Sequence, residues 1–334
     1  MGAAIVAATG DAEVAVVGVK KAGSGAPVTL EDRWHIGSCG KAMNATVVAR
    51  LVERGQLRWD TTVQEVFAEL AEAFETPLGS VTLAQLLSHR AGLERNLDYA
   101  ALAPFGPPRA QRLEAVREAG RMKLLHAPGT EYVYSNLGYA IVGAIVEETL
   151  DRPYEQVMRE LLFDPMGMDS ARFECADGPV SDDHLWAHHG NGRPVRKGRF
   201  CAGDPPALRP AGCVRCTLAD WARFVGHHVR GETGESAFLD AESYSKLHTP
   251  SADTEYGMGW VVVSRDWGGG TVLHHAGSNT LNYSNVWIAP KRVFAVLVCT
   301  NQGDSFEATD EAVGALLDLH GRWQAGSSPQ HRPE

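Results

Sequence analysis

The chain has 334 residues with 44% hydrophobic side chains, enough for one large domain or two intimately joined ones around a sizeable core. Its formal net charge of -10 and the lack of any Lys/Arg cluster argue against a nucleic-acid or anionic-membrane partner, since both need a basic footprint, and leave a small-molecule substrate as the default. The apolar runs at 3–8, 141–146 and 294–299 fall well short of the roughly 20 residues that cross a bilayer, and no basic stretch precedes an apolar one near Met1. Neither a membrane span nor a secretory signal is therefore expected, and the cytoplasm is the expected compartment unless the N-terminus has been trimmed.

In chain order, the runs at 3–8 and 12–19, the second with β-branched residues in alternation, predict two strands joined as a hairpin by a tight turn at Gly10-Asp11. From Ser38 to about Glu53, Met43, Val47, Val48, Leu51 and Val52 recur at helical spacing while Ala42, Ala45 and Ala49 fill the other faces, which predicts a buried central helix. Helical patterns follow at 64–74, 82–88, 110–122, 137–150, 153–162 and 217–230, separated by Pro/Gly-rich breaks at 104–108, 128–129 and 203–210. Strand-like runs return at 257–264, 271–276, 283–289 and 293–299, then a helical pattern at 305–322. Strands at both chain ends with helices between them predict an α+β fold, in which one sheet is made from the two ends and a helical region is inserted in the middle. The boundaries are 1–60 and 232–325 for the sheet region, 61–231 for the helical region and 326–334 for a disordered tail, with no internal repeat.

Ser38-Cys39-Gly40-Lys41 places a hydroxyl and an amine three residues apart at a helix start, so both project from one face. A serine hydroxyl is weakly nucleophilic until a base takes its proton, and a desolvated lysine near a helix N-terminus is pushed toward its neutral form. The helix start also favours developing negative charge. Ser243-Tyr244-Ser245-Lys246 has the same spacing in a short amphipathic stretch ending at Pro250 and is assigned no function, so spacing needs context before it counts.

Tyr134-Ser135-Asn136 follows a Pro128-Gly129 turn and opens the apolar helix through Leu137, Ile141, Val142 and Ile145. A helix N-cap by Ser135 or Asn136 accounts for it on local grounds. Brought beside Ser38 and Lys41, the phenol and the amide would instead supply a general base or proton relay and a hydrogen-bonding clamp. His275-Ala276-Gly277-Ser278 ends a strand-like run; the glycine permits close backbone approach, and the Ser278 N–H paired with that of Ser38 would form an oxyanion hole.

These three elements in this order resemble the serine β-lactamase and penicillin-binding protein superfamily, with its Ser-x-x-Lys, Ser-Asp-Asn and Lys-Thr-Gly set. Tyr134-Ser135-Asn136 looks like the Tyr-x-Asn element of the class C β-lactamase, family VIII carboxylesterase and D,D-peptidase branch, and His275-Ala276-Gly277 like the His-x-Gly that replaces Lys-Thr-Gly in several of its esterases and peptidases. The resemblance extends over most of the chain, through Trp34-His35-Ile36-Gly37, Leu86-Leu87-Ser88-His89-Arg90-Ala91-Gly92-Leu93 and Tyr256-Gly257-Met258-Gly259-Trp260. It implies an antiparallel sheet flanked by helices beside an all-helical region, with the site in the cleft between them. It also implies Ser38 as the acylated nucleophile, Lys41 and Tyr134 as the proton-transfer pair, and Asn136 as a substrate contact. Two departures stand out: relatives usually carry a helix before the first strand, and His275 stands where a lysine would bind a carboxylate. A histidine of ordinary pKa is mostly neutral at pH 7, which tilts the expectation toward esters or neutral amides.

Cys213-Val214-Arg215-Cys216 has the spacing of half a zinc site without a second pair, and Thr217 to Asp220 reads as a capping box for the next helix, so no metal is expected; the resemblance, in which a similar Gly-rich turn lies near the site, implies that Gly212 and Cys213 line the cleft. His89, His184 and the pairs at 188–189 and 227–228 are read as solvated, and the six scattered cysteines as free thiols. No Gly-x-Ser-x-Gly elbow or phosphate loop occurs, and no cofactor is expected. The resulting expectation is a serine hydrolase acting through an acyl-enzyme on small esters or amides. D,D-peptidase, D-aminopeptidase or β-lactamase action on the same apparatus is the alternative, and a non-catalytic penicillin-binding-like sensor is the reading from another class.

Overall fold

The computed structural model describes residues 1–7, 11–173, 184–196, 204–236, 238–251 and 253–327, with side chains described up to Arg322. The first half runs β1 (Gly2–Val6), β2 (Ala12–Val16), β3 (Trp34–His35), α1 (Gly40–Glu53), α2 (Val63–Val66), α3 (Ala68–Ala71), α4 (Leu83–Leu87), α5 (Pro108–Arg121), α6 (Asn136–Leu150) and α7 (Tyr154–Met158). The second half adds β4 (Arg215–Cys216), α8 (Leu218–Arg230), α9 (Ala241–His248), β5 (Val261–Arg265), β6 (Gly270–Ser278), β7 (Tyr283–Ala289), β8 (Phe294–Thr300) and α10 (Phe306–Ser327).

Six strands form one antiparallel sheet in the order β2-β1-β8-β7-β6-β5, so the two chain ends meet where Ala4 pairs with Leu297. Every residue of β8 is buried, because the sheet is covered on both sides. Val296 and Val298 join the cluster that includes Val313 of α10, whereas Ala295, Leu297 and Cys299 join the main core. The side-chain period of two along a strand sorts these residues onto opposite faces. β3 and β4 form a separate two-stranded ribbon, Trp34 opposite Cys216 and His35 opposite Arg215.

Helix α1 is buried from Gly40 to Ala49, as its small and apolar residues on all sides require. In the helical half, α6 packs against α5 and against a 3₁₀ turn at Pro206–Ala211. Arg112 of α5 is wholly buried there, with its guanidinium 2.6 Å from Glu147 Oε1 and 3.2 Å from Glu155 Oε1.

Several elements depart from the sequence pattern. The helical run at 64–74 breaks at Phe67 (φ -115, ψ 51) into two one-turn pieces, the first opened by a Thr62/Glu65 capping box. The run at 153–162 ends α7 early and continues as a π-helical turn, Arg159–Phe163. The strand expected at 257–264 starts only at Val261, since Gly257 and Gly259 shape a tight loop against α9 and α1. Helix α8, placed with the helical region by sequence, lies across β1 and β8, its apolar face seated on the sheet. α10 runs on through Gly326 to Ser327, past the start expected for the tail; the rest of that tail, with Gly10, Cys175 and Cys201, falls outside the described residues.

Candidate active site

Ser38 sits in a single 3₁₀ turn, Gly37–Cys39, that leads directly into α1, and the helical spacing carries Lys41 round to the same face. Lys41 Nζ lies 3.0 Å from Ser38 Oγ, 2.7 Å from Asn136 Oδ1 and 2.6 Å from the Ala211 carbonyl. Two of those partners, Asn136 Oδ1 and the carbonyl, can only accept. A neutral Lys41 therefore spends both hydrogens on them and turns its lone pair toward the serine hydroxyl. The side chain is fully buried, and that burial pushes its pKa down from 10.5 to about 7, with Arg95 adding to the depression against the pull of Cys213 and Cys39.

Tyr134 and Asn136 reach the same point because Ser135 is extended (φ -131, ψ 115), which turns residues i and i+2 to one side and Ser135 to the other. The cap and the approach to Lys41 are divided between neighbouring residues. Ser135 caps α6, accepting the Gly138 N–H at 3.0 Å and donating to the Glu94 carbonyl, while Asn136 is left to meet Lys41 and donates to Asn96 Oδ1 at 2.9 Å. The Tyr134 hydroxyl meets Ser38, and its ring lies 4.9 Å from Lys41 Nζ. Burial pushes the phenol up to about 12, against the Ser38 contact and Arg95, whose guanidinium sits 5.2 Å from the ring, so Tyr134 is a neutral phenol at rest.

Gly37 and Gly277 let two backbones abut. A Cβ on Gly37, whose φ is +52, would fall 2.5 Å from Ser278 N, and one on Gly277 would fall 2.0 Å from the Ile36 carbonyl oxygen. The start of α1 and the end of β6 are thus pressed together, with Ser284 Oγ stitching them by donating to the Ile36 carbonyl at 2.7 Å. Ser38, Asn136, Ser278 and Asn279 line one cavity of about 50 Å³, which His35 and Asp204 close from behind.

His275 does not present a nitrogen to this cavity, although the motif pointed to a substrate contact. Its Nδ1 faces the Ala276 carbonyl at 2.7 Å and so carries the proton, and its Nε2 accepts from the Tyr256 hydroxyl at 3.0 Å. Burial, aided by Lys41, pushes its pKa down to about 3, and the ring is neutral. Its contribution is to brace the end of β6 against Tyr256.

Of the histidines read as solvated, three are buried. His89 (φ 59) accepts the Ser135 N–H on Nδ1 at 3.0 Å and holds its ring 4.3 Å from that of Tyr134, fixing the turn that aims the phenol. His188 bridges Ala22 and Asn301, and His228 joins Thr46 to His248. Cys213 lines the cleft as expected, with φ 66, but it and Cys39 are poor rival nucleophiles: burial raises both thiols, Cys39 to about 12. The second Ser-x-x-Lys falls on α9 with Lys246 exposed, far from the conditions that neutralise Lys41. Sequence reasoning missed His35, Asp204, Arg95 and the Ala211 carbonyl; only His35 carried a signal, through its place in the phrase before Ser38.

A hydroxyl, an amine that releases its proton near neutrality and a buried phenol, set in a cleft beside an antiparallel sheet, define a serine hydrolase that works through an acyl-enzyme. The chain belongs to the Beta-lactamase family, whose model matches residues 1–319. It is 28% identical over 309 residues to penicillin-binding protein 4 of Amycolatopsis lactamdurans, an alignment covering 88% of this chain and 78% of that one. It is 24% identical to an unguisins hydrolase of Aspergillus campestris over 82% of its own length, and spans about half, 53%, of that relative. The solved structure of a D-alanine carboxypeptidase AmpC from Burkholderia cenocepacia superposes with a TM-score of 0.75 at 22% identity, over 95% of this chain and 93% of that one, and shares the fold.

Proposed function

We propose that the protein hydrolyses small neutral esters or amides with Ser38 as the acylated residue. Lys41 takes the Ser38 proton as Oγ attacks the carbonyl carbon, and the backbone N–H groups of Ser38 and Ser278 hold the oxyanion. Tyr134, a phenol that meets the same oxygen, passes the proton on to the leaving group, and Asn136 contacts the substrate amide or carbonyl. Water then attacks the acyl-enzyme along the reverse path and frees the acid.

The observation that carries this reading is the contact set of Lys41 Nζ, which leaves a lone pair for Ser38 once the other two acceptors are served. The preference for uncharged substrates rests on His275, a neutral ring where a carboxylate-binding cation would be needed. Similarity to a penicillin-binding protein and to a D-alanine carboxypeptidase favours peptide-like substrates and keeps D,D-peptidase, D-aminopeptidase and β-lactamase action as outcomes of the same test. Steady-state assays with a p-nitrophenyl ester, a chromogenic cephalosporin and a D-alanyl-D-alanine peptide, each with Ser38→Ala as control, separate them. Sustained ester turnover that Ser38→Ala abolishes is the expected result. Faster cephalosporin or peptide turnover would reassign the substrate, and stoichiometric acylation without turnover would make the protein a sensor.

A further inference from the structure

Two buried side chains beside the cleft, His35 and Asp204, have no part in the scheme above; they are 3% and 5% exposed. His35 ends β3, and Asp204 precedes the 3₁₀ turn that delivers the Ala211 carbonyl. His35 Nδ1 accepts the Gly37 N–H at 3.1 Å, so that nitrogen bears no proton and the ring hydrogen lies on Nε2, 3.0 Å from Asp204 Oδ1. Nδ1 is thus taken up by the Gly37 N–H, while Nε2 faces the carboxylate at contact distance without hydrogen-bond alignment.

Asp204 accepts from the Arg215 guanidinium at 3.2 Å and from Asn279 Nδ2 at 3.1 Å. Burial works against its ionisation, but His35, Arg215 and Asn279 together hold it below the usual carboxylate range. Asn279 Oδ1 in turn accepts the N–H groups of Leu281 and Asn282 at 3.2 and 2.9 Å, folding the turn that follows Ser278. One carboxylate is thereby tied through His35 to Gly37 and through Asn279 to the end of β6. Those are the two backbones whose N–H groups form the oxyanion hole.

From this geometry we infer that His35 and Asp204 are positioning residues that set the spacing and direction of the two oxyanion donors. The inference rests on the acyl-enzyme reading. Gly37 has no Cβ to restrict it, so an acceptor fixed on its N–H is what selects its left-handed turn. The stakes are set by the hole itself, where loss of one donor costs on the order of a hundredfold or more in kcat.

His35, Asp204 and Cys213 also place ligand atoms within 4.8 Å of one another, a donor set that zinc accepts. A metal on Nε2 would move the ring proton to Nδ1, directly against the Gly37 N–H. The tautomer that the Gly37 contact selects is the positioning one, and metal binding is an outcome of the test.

The experiment measures kcat and KM for ester hydrolysis, with thermal melts, in Asp204→Asn, His35→Ala, His35→Asn and the Asp204→Asn/His35→Ala double variant. The first two are expected to lose roughly 10- to 100-fold in kcat with KM changed less than about threefold. The double variant is expected to lose no more than about threefold beyond the worse single, as members of one unit do. His35→Asn, whose shorter amide still accepts from the Gly37 N–H, is expected to recover about tenfold over His35→Ala. Chelator and added zinc are expected to leave the wild type unchanged.

Wild-type kcat in folded Asp204→Asn, losses that multiply, or His35→Asn no better than His35→Ala would overturn the inference. So would a stoichiometric zinc effect on rate that His35→Ala removes. If Asp204→Asn does not fold, the two His35 variants decide. Activity surviving in Ser38→Ala would instead sink the acyl-enzyme reading, which keeps the two failures apart.

Discussion

The neutral lysine makes a quantitative claim about pH. A protonated Lys41 has no lone pair, so acylation is present above its pKa and lost below it. With that pKa at about 7, the neutral fraction rises about tenfold between about pH 6 and pH 8 and then levels. An amine at the ordinary 10.5 would give about a hundredfold rise over the same interval and no levelling. The assay is kcat/KM for a p-nitrophenyl ester from about pH 5 to pH 9, corrected for spontaneous hydrolysis, alongside Lys41→Arg, whose guanidinium cannot release a proton in this range. A tenfold rise per pH unit persisting past about pH 8, or an unchanged profile in Lys41→Arg, would refute the argument from burial. Stability carries the same sign: between about 7 and 10.5 the unfolded chain binds a proton that folded Lys41 has released, so this group makes stability rise with pH in that window.

Other consequences can be measured separately. Arg95→Gln removes an exposed cation that depresses Lys41, so the midpoint of the pH profile should move up by a few tenths, and less in high salt. Tyr134→Phe should lower kcat by about 10²- to 10⁴-fold in a protein with an unchanged melting temperature. Gly277→Ala should lose both activity and stability, because its Cβ would meet the Ile36 carbonyl oxygen at 2.0 Å; wild-type turnover would show that the backbones do not abut. Glu147→Ala should destabilise the fold by up to about 3 kcal/mol in urea unfolding, since it removes the nearer of the two carboxylates that pair with the buried Arg112 and leaves Glu155 alone to compensate it, and should do so without a selective effect on catalysis.

What was legible in the sequence was what local geometry fixes. Ser38 and Lys41 share a face because three residues span about one helical turn, and Tyr134 and Asn136 share one because the chain is extended there. The order of strands and helices was enough to bring both chain ends into one sheet. Burial was harder to read. Ser38-x-x-Lys41 and Ser243-x-x-Lys246 are equal as spacings, and only packing separates a lysine with no exposed surface from one at the protein surface.

Tertiary partners explain the remaining misses. His89 looked like a solvated histidine, yet it is buried in a left-handed conformation that bends the chain back toward Tyr134. His275 kept its place in the motif while both of its nitrogens turned inward, one to the Tyr256 hydroxyl and the other to the Ala276 carbonyl. His35 and Asp204 lie far apart along the chain, in segments with no shared periodicity, so no local pattern links them. Phe67 ends a helix that its neighbours' spacing would have continued.

The most direct test is covalent. Mixing the protein with a slowly released p-nitrophenyl ester, quenching in acid and mapping the adduct by peptide mass spectrometry should place one acyl group per chain on Ser38, with none in Ser38→Ala. An adduct on another residue, or undiminished ester turnover by Ser38→Ala, would contradict the account.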